Sequence, residues 1–304
     1  MRIKRLLTGI GIGVASGFWL TRRVNPKPPA SQALLNAKVL TMDSNNSMAE
    51  AVLIENDRIA AVGSNEEIRK LIKPGTRVLD MSGKTVIPGI IEAHGHFPFS
   101  GISVLTVDLK SPPVGPVTTI KQALALLKDK AALTPAGKWV VGFGYDDTLL
   151  EDQRHFTRQD LDQVSTNHPV YVVHTSAHMG VGNSAALEKM GIDRDSADPE
   201  GGVIKKDPES GEPTGLLLEK ANMPVMNVAM KRSLLDNIKV LRAASKDYLS
   251  KGVTTAQNGQ AFLKQIGFLT KASRLGLTPL RLIIWPNGIE WLKDSQQEKP
   301  MNLK

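Results

Sequence analysis

The side chains of this 304-residue protein that could do chemistry are six histidines and a set of scattered carboxylates, with no cysteine among them. Two of the histidines, His94 and His96, close the apolar run Val86-Ile87-Pro88-Gly89-Ile90-Ile91-Glu92-Ala93. If that run is a buried β-strand, residues two apart share a face, and both imidazoles project from one strand end. Neutral imidazole is the commonest protein ligand for divalent transition metals, so the pair offers half of a zinc or iron site. The bland alternative is two polar residues in a strand-to-loop turn. The flanking Pro-Gly and the apolar run favour the metal reading. The lack of cysteine excludes a thiolate metal site, a cysteine nucleophile and disulfides.

Other candidates follow apolar segments further along. Asp146 and Asp147 come just after the strand predicted at Trp139–Phe143, where a carboxylate could contact substrate or a ligand histidine, or simply belong to a loop. His174 ends the strand predicted at Val170–His174, and His178 lies four residues on. The two would share a face only if Thr175–His178 turned helical. His174 is otherwise a hydrogen-bonded core histidine. Glu219 follows Leu216-Leu217-Leu218, where it could bridge two metals, orient a histidine, or open a helix over Glu219–Val228. Lys220, which carboxylation could turn into a bridging ligand, is the poorer candidate of the two. His155 and His168 sit in polar loop contexts and are not expected to bind metal. Arg281 is either a substrate anchor or the partner of a local acid.

The elements that must position these groups alternate from Thr85 onward between apolar strands and amphipathic helices, the pattern of a parallel sheet wrapped by helices. Strands are predicted at Thr85–Ile91, Trp139–Phe143, Val170–His174, Val253–Gln257 and Leu280–Trp285. Helices are predicted at Ile120–Lys130, Arg158–Val164, Leu234–Ser250 and Gln260–Leu275. Gly201 to Gly215 reads as a hairpin excursion. In a barrel the C-terminal strand ends form the catalytic face, which gathers His94, His96, Asp146, His174, His178 and Gln257 at one mouth. Ahead of these, Ala51–Ile54 and Arg58–Val62 flank the turn Glu55-Asn56-Asp57. Ser64 or Asn65 caps a short helix to Leu71.

The motif around His94, together with Leu34–Asp43 and Asp57–Gly63 before it, resembles the amidohydrolase superfamily, and within it the YtcJ-like amidohydrolase family 3. The resemblance continues in order through Trp139–Asp147, Val170–His178, Asn183–Leu187, Gly201–Ile204, Pro213–Glu219, Gly252–Gln257 and Leu280–Ile284, from about residue 34 to about 286. It implies an α/β fold: a metal-dependent-hydrolase TIM-like barrel with a small N-terminal β-sandwich portion. It also implies metal ligation by His94 and His96 and an active-site role for His178, facing substrate; with the residue readings above, the candidate catalytic residues are Asp146, His178 and Glu219. The position two before the first histidine is usually aspartate in the superfamily. Here it is Glu92, which could still hydrogen-bond a histidine. Relatives are typically longer, so the expected barrel is incomplete, and a separate chain supplying the C-terminal half is one possibility.

The formal net charge is +8. Arg2, Lys4, Arg5, Arg22, Arg23 and Lys27 supply six of the positive charges in a segment with no acid, and no basic stripe interleaved with aromatics follows. A nucleic-acid partner is therefore not expected. Leu6 to Leu20 is an uncharged, mostly apolar run behind a basic start, which fits a signal peptide or a short uncleaved anchor. Thr21-Arg22-Arg23 offers no small-residue cleavage site, so an anchor is preferred. Positive charge on both flanks specifies the orientation only weakly; an N-in, C-out anchor would place the rest outside the cytoplasm, on the periplasmic or extracellular side, with secretion as the alternative. The expected organisation is leader and proline spacer (1–30), sandwich portion (31–84), partial barrel (85–286) and polar tail (287–304). The expected function is hydrolysis of non-peptide carbon–nitrogen bonds in a small-molecule substrate by water activated on a divalent metal, most simply zinc. The alternative is a non-catalytic, membrane-tethered remnant or ligand-binding fragment.

Overall fold

The computed structural model describes residues 30–288. The leader, the proline spacer and nearly all of the polar tail lie outside the described residues. The described residues form two compact units, one of residues 30–97 with 245–288 and the other of residues 98–244.

The first unit begins with β1 (Ser31–Leu35), β2 (Lys38–Leu40), β3 (Met48–Ala49), β4 (Ala51–Glu55), β5 (Arg58–Gly63), β6 (Arg77–Asp80), β7 (Thr85–Val86) and β8 (Ile90–Ile91). They build a four-stranded sheet of order β5-β4-β1-β6 and a three-stranded sheet of order β3-β2-β7. Glu55 pairs with Arg58, so Asn56-Asp57 is a two-residue hairpin loop, and Asn56 supplies the positive φ that such loops need. The helix Asn65–Leu71 opens on Ser64, whose hydroxyl accepts from the Glu67 N–H while the Glu67 carboxylate accepts from the Ser64 N–H. That capping box points Ile68 into a core of Ala33, Leu35, Ala51 and Leu53.

The strand predicted over Thr85–Ile91 is instead two short pieces, β7 pairing with β2 and β8 belonging to another sheet. Pro88 cannot donate to a ladder, and the break falls on it and Gly89. Nor is the segment buried: Ile90 and Ile91 are 44% and 67% exposed.

The second unit holds a six-stranded sheet of β9 (Val107–Asp108), β10 (Val140–Tyr145), β11 (Val170–His174), β12 (Met179–Gly182), β13 (Gly202–Lys206) and β14 (Pro213–Glu219). Its order is β13-β14-β12-β11-β10-β9. β9, β10 and β11 run parallel, while β12, β14 and β13 pair antiparallel. The expected hairpin excursion is therefore present, but it joins the sheet through β12, which makes the sheet mixed. Every residue of β10 and β11 is buried, which explains their apolar runs without alternation. The helix Ile120–Ala132, capped by Thr119, buries Ile120, Ala123, Leu124, Leu127 and Ala131 along one stripe. These pack with Leu109, Val140, Tyr145, Val170 and Val172.

The first unit resumes with β15 (Val253–Ala261) and β16 (Arg281–Pro286). β15 is central between β8 and β16 in a parallel three-stranded sheet. The helix Leu263–Arg274 between them buries Ile266, Leu269 and Ala272. Among the described residues no helix is long and apolar enough to cross a membrane.

Candidate active site

Reactive side chains gather in each unit separately. In the first, the chain leaves β8 and is stitched to β15 by backbone bonds from Glu92 N–H to Thr255, from Gly259 N–H to Gly95 and from Phe97 N–H to Gln257, all 2.8–3.0 Å. His94 lies in a bend and His96 in an isolated bridge with Asn258, so neither is in a regular strand. Their rings are nonetheless neighbours, with centroids 5.2 Å apart and nearly perpendicular planes. His96 Nδ1 is 3.3 Å from the Gly259 carbonyl. A carbonyl only accepts, so Nδ1 holds the proton and the Nε2 lone pair is left for a cation, the arrangement typical of a ligating histidine.

Glu92 does not bond a histidine as the sequence led us to expect. Its carboxylate accepts from the Tyr248 hydroxyl (3.0 Å) and from the Gln257 N–H (2.8 Å). It folds back beneath the turn into the space that a Cβ at Gly95 would fill. Burial, reinforced by Glu92, pushes the Tyr248 phenol up to about 12.

In the second unit, ligand atoms of Asp146, Asp147 and His174 all lie within 4.8 Å of one another. β10 delivers the two aspartates and β11 the histidine. His174 Nε2 is 3.2 Å from Asp147 Oδ1 and 3.9 Å from Asp146 Oδ1. On the other side of the ring, Nδ1 accepts the Ser176 backbone N–H at 3.1 Å and lies 2.8 Å from the Ser176 hydroxyl. An N–H can only donate, so Nδ1 holds the lone pair and Nε2 holds a proton aimed at Asp147. Both nitrogens are therefore engaged by protein groups, so a cation held by Asp146, Asp147 and His174 would have to displace Asp147 from Nε2 or Ser176 from Nδ1. Burial lowers the His174 pKa, against the opposing pull of Asp146 and Asp147. The Thr148 hydroxyl, 2.6 Å from Asp146 Oδ1, holds that carboxyl below its ordinary value.

His155, set aside in the sequence as a loop residue, joins this network. Its Nδ1 is 3.2 Å from the Tyr145 hydroxyl and 3.4 Å from Asp147. Nothing in the spacing signals this, because the approach depends on how the loop after β10 returns. His168 is buried against the Lys138 carbonyl.

His178 does not share a helix face with His174. Thr175–His178 is a turn in which Ala177 adopts φ 61°, and His178 Nδ1 instead meets Glu219 Oε2 at 2.8 Å. Of the readings open for Glu219, the one observed is the orientation of a histidine. It ends β14 at φ 51° rather than opening a helix, which begins at Asn222. A histidine held through Nδ1 by a carboxylate turns its Nε2 outward, suited to accept a proton or bind a cation. Among the described residues Arg281 forms no ion pair with an acid.

A profile of the amidohydrolase family matches residues 77–303. The chain belongs to that family. Among curated amidohydrolase relatives it is 36% identical over 253 residues to the N-substituted formamide deformylase of Arthrobacter pascens, covering 82% of this chain and 46% of that protein. It is 33% identical over 217 residues to YtcJ of Bacillus subtilis (strain 168), covering 71% of this chain and 40% of the relative. Its fold matches that of a metal-dependent hydrolase from Pyrococcus horikoshii at TM-score 0.61 and 22% identity, over 84% of this chain and 48% of the other. The chain thus spans about half the length of the amidohydrolases it matches.

Proposed function

We propose that this chain carries the metal-binding start of an amidohydrolase that cleaves non-peptide carbon–nitrogen bonds of small molecules, with His94 and His96 as ligands to a divalent ion, most simply zinc. The observation that supports it most directly is the tautomer of His96: a carbonyl at Nδ1 leaves Nε2 open beside a second, perpendicular imidazole. Bound there, a divalent ion supplies a water acidic enough to attack at neutral pH and a Lewis acid for the scissile carbonyl.

The protein's own groups have separable tasks in this reading. The Gly259 carbonyl fixes the His96 ring. Glu92 braces the turn that holds both histidines. Within the second unit, taken by itself, His178, oriented by Glu219, presents a nitrogen able to take up or give back a proton, and Asp146 offers a hydrogen-bond acceptor. The likeness to a formamide deformylase supports N-acyl amines as the substrate class. A catalytic zinc usually has three protein ligands and an open position, and the histidine pair provides two. The apolar run Leu6–Leu20 supports attachment to a membrane, and an N-in, C-out orientation would put the enzyme outside the cytoplasm.

Elemental analysis tests the central assignment. Purified wild-type protein should hold a divalent metal, and the double variant His94→Ala, His96→Ala should hold none. Equal stoichiometry in the two proteins would refute it.

A further inference from the structure

Gln257 is 4% exposed, and its side-chain oxygen Oε1 is buried without a hydrogen-bond partner among the described residues. Buried carboxamides are ordinarily satisfied, so such an atom calls for a partner that protein atoms do not supply. Its position suggests which one. Gln257 sits on β15 two residues before Gly259, and side chains two apart on a strand lie on one face. That face is where the imidazoles are: a methyl group at Gly259 would sit 3.7 Å from His94 Cε1 and 3.9 Å from His96 Cε1. The backbone of Gln257 is held at both ends by the same turn, its N–H by Glu92 and its carbonyl by the Phe97 N–H. The residue is thus anchored to the segment that presents the histidines, while its polar head is unsatisfied.

We infer that Gln257 Oε1 is a third protein ligand to the ion held by His94 and His96, completing a set of two nitrogens and one neutral oxygen. The inference rests on the metal reading proposed above. A carboxamide oxygen is a lone-pair donor without charge. Such a ligand set leaves the ion its full positive charge, which favours polarising a carbonyl and acidifying water more than a carboxylate ligand would.

Cobalt(II) titration of the full 304-residue chain tests this without recourse to turnover, with the visible absorption of the bound ion and competition against a chelator as readouts. Gln257→Leu should weaken cobalt binding 10- to 100-fold and alter the absorption band, whereas Gln257→Glu, with a charged oxygen at the same reach, should bind at least 10-fold more tightly than wild type. Circular dichroism checks that each variant is folded, and the glutamate variant decides the matter if the leucine variant is not. Wild-type affinity and an unchanged band in the folded variants, with His94→Ala abolishing binding, would overturn the role of Gln257 and leave the histidine site standing. No cobalt binding by wild type itself would overturn both.

Discussion

The histidines of this protein differ in what faces Nδ1. At His96 the neighbour is a carbonyl, and at His174 it is the Ser176 N–H. That difference is invisible in the sequence, where His-x-His spacing marks the first and a strand end marks the second. The spacing marks the pair that contains the ring facing a carbonyl. It could not show that the lone pair of His174 is already taken by the Ser176 N–H. The His174 assignment has a pH consequence. Its folded pKa is lowered, chiefly by burial, so the unfolded chain binds a proton that the folded one resists. Stability contributed by neutral His174 is present above the unfolded value of about 6.5 and is lost as pH falls below it toward the folded pKa. Nitrogen-15 spectra should show His174 as the neutral Nε2–H form at pH 6.5. Denaturation midpoints should fall between pH 6.5 and 5 in wild type and less steeply in His174→Gln. A ring already half-protonated at pH 6.5 would contradict the assignment.

At the scale of elements, agreement between sequence and structure followed the strength of the local signal. The helix Leu234–Ser250 and strand Val170–His174 were readable to the residue, the first from its long amphipathic period and the second from an apolar run bounded by Pro169 and a turn. β12 was missed, since Met179-Gly180-Val181-Gly182 has two glycines in four residues and little strand propensity. The turn after β8 was misread as the end of a continuous strand. It is a bend braced by Glu92, and its geometry depends on the missing Cβ of Gly95. Gly95→Ala should therefore displace the carboxylate from Tyr248 and Gln257. The expected loss is about 1–3 kcal/mol in denaturant unfolding, the usual cost of overpacking. The Tyr248 titration should also move from about 12 back toward 10 in an ultraviolet pH scan. An unchanged phenol titration would show that Glu92 does not set it.

At the scale of the whole molecule, fold class was accessible because strands and helices alternate along most of the chain, and the amidohydrolase match over residues 77–303 agrees. The arrangement of sheets was not. Periodicity gives the faces of elements but not their partners, so neither the antiparallel β12–β14 insertion nor the separation of β7 from β8 could be read in advance. The leader is a matter for the intact chain. In fractionated cells the full protein should sediment with membranes, while a version beginning at Ser31 should stay in the supernatant. Finding the intact chain in the supernatant would count against an anchor.

The opposite polarity of the groups facing the two rings also predicts how they meet a small electrophile. Diethyl pyrocarbonate acylates an imidazole only through an unprotonated ring nitrogen. In the folded protein the unprotonated nitrogen of the neutral His96 ring is the open Nε2, whereas that of His174 is Nδ1, already occupied by the Ser176 N–H. Peptide mapping after brief treatment should find the carbethoxyl group on His96 and none on His174 until the protein is unfolded, so that a reagent with no affinity for either site reads out which ring the fold has left available.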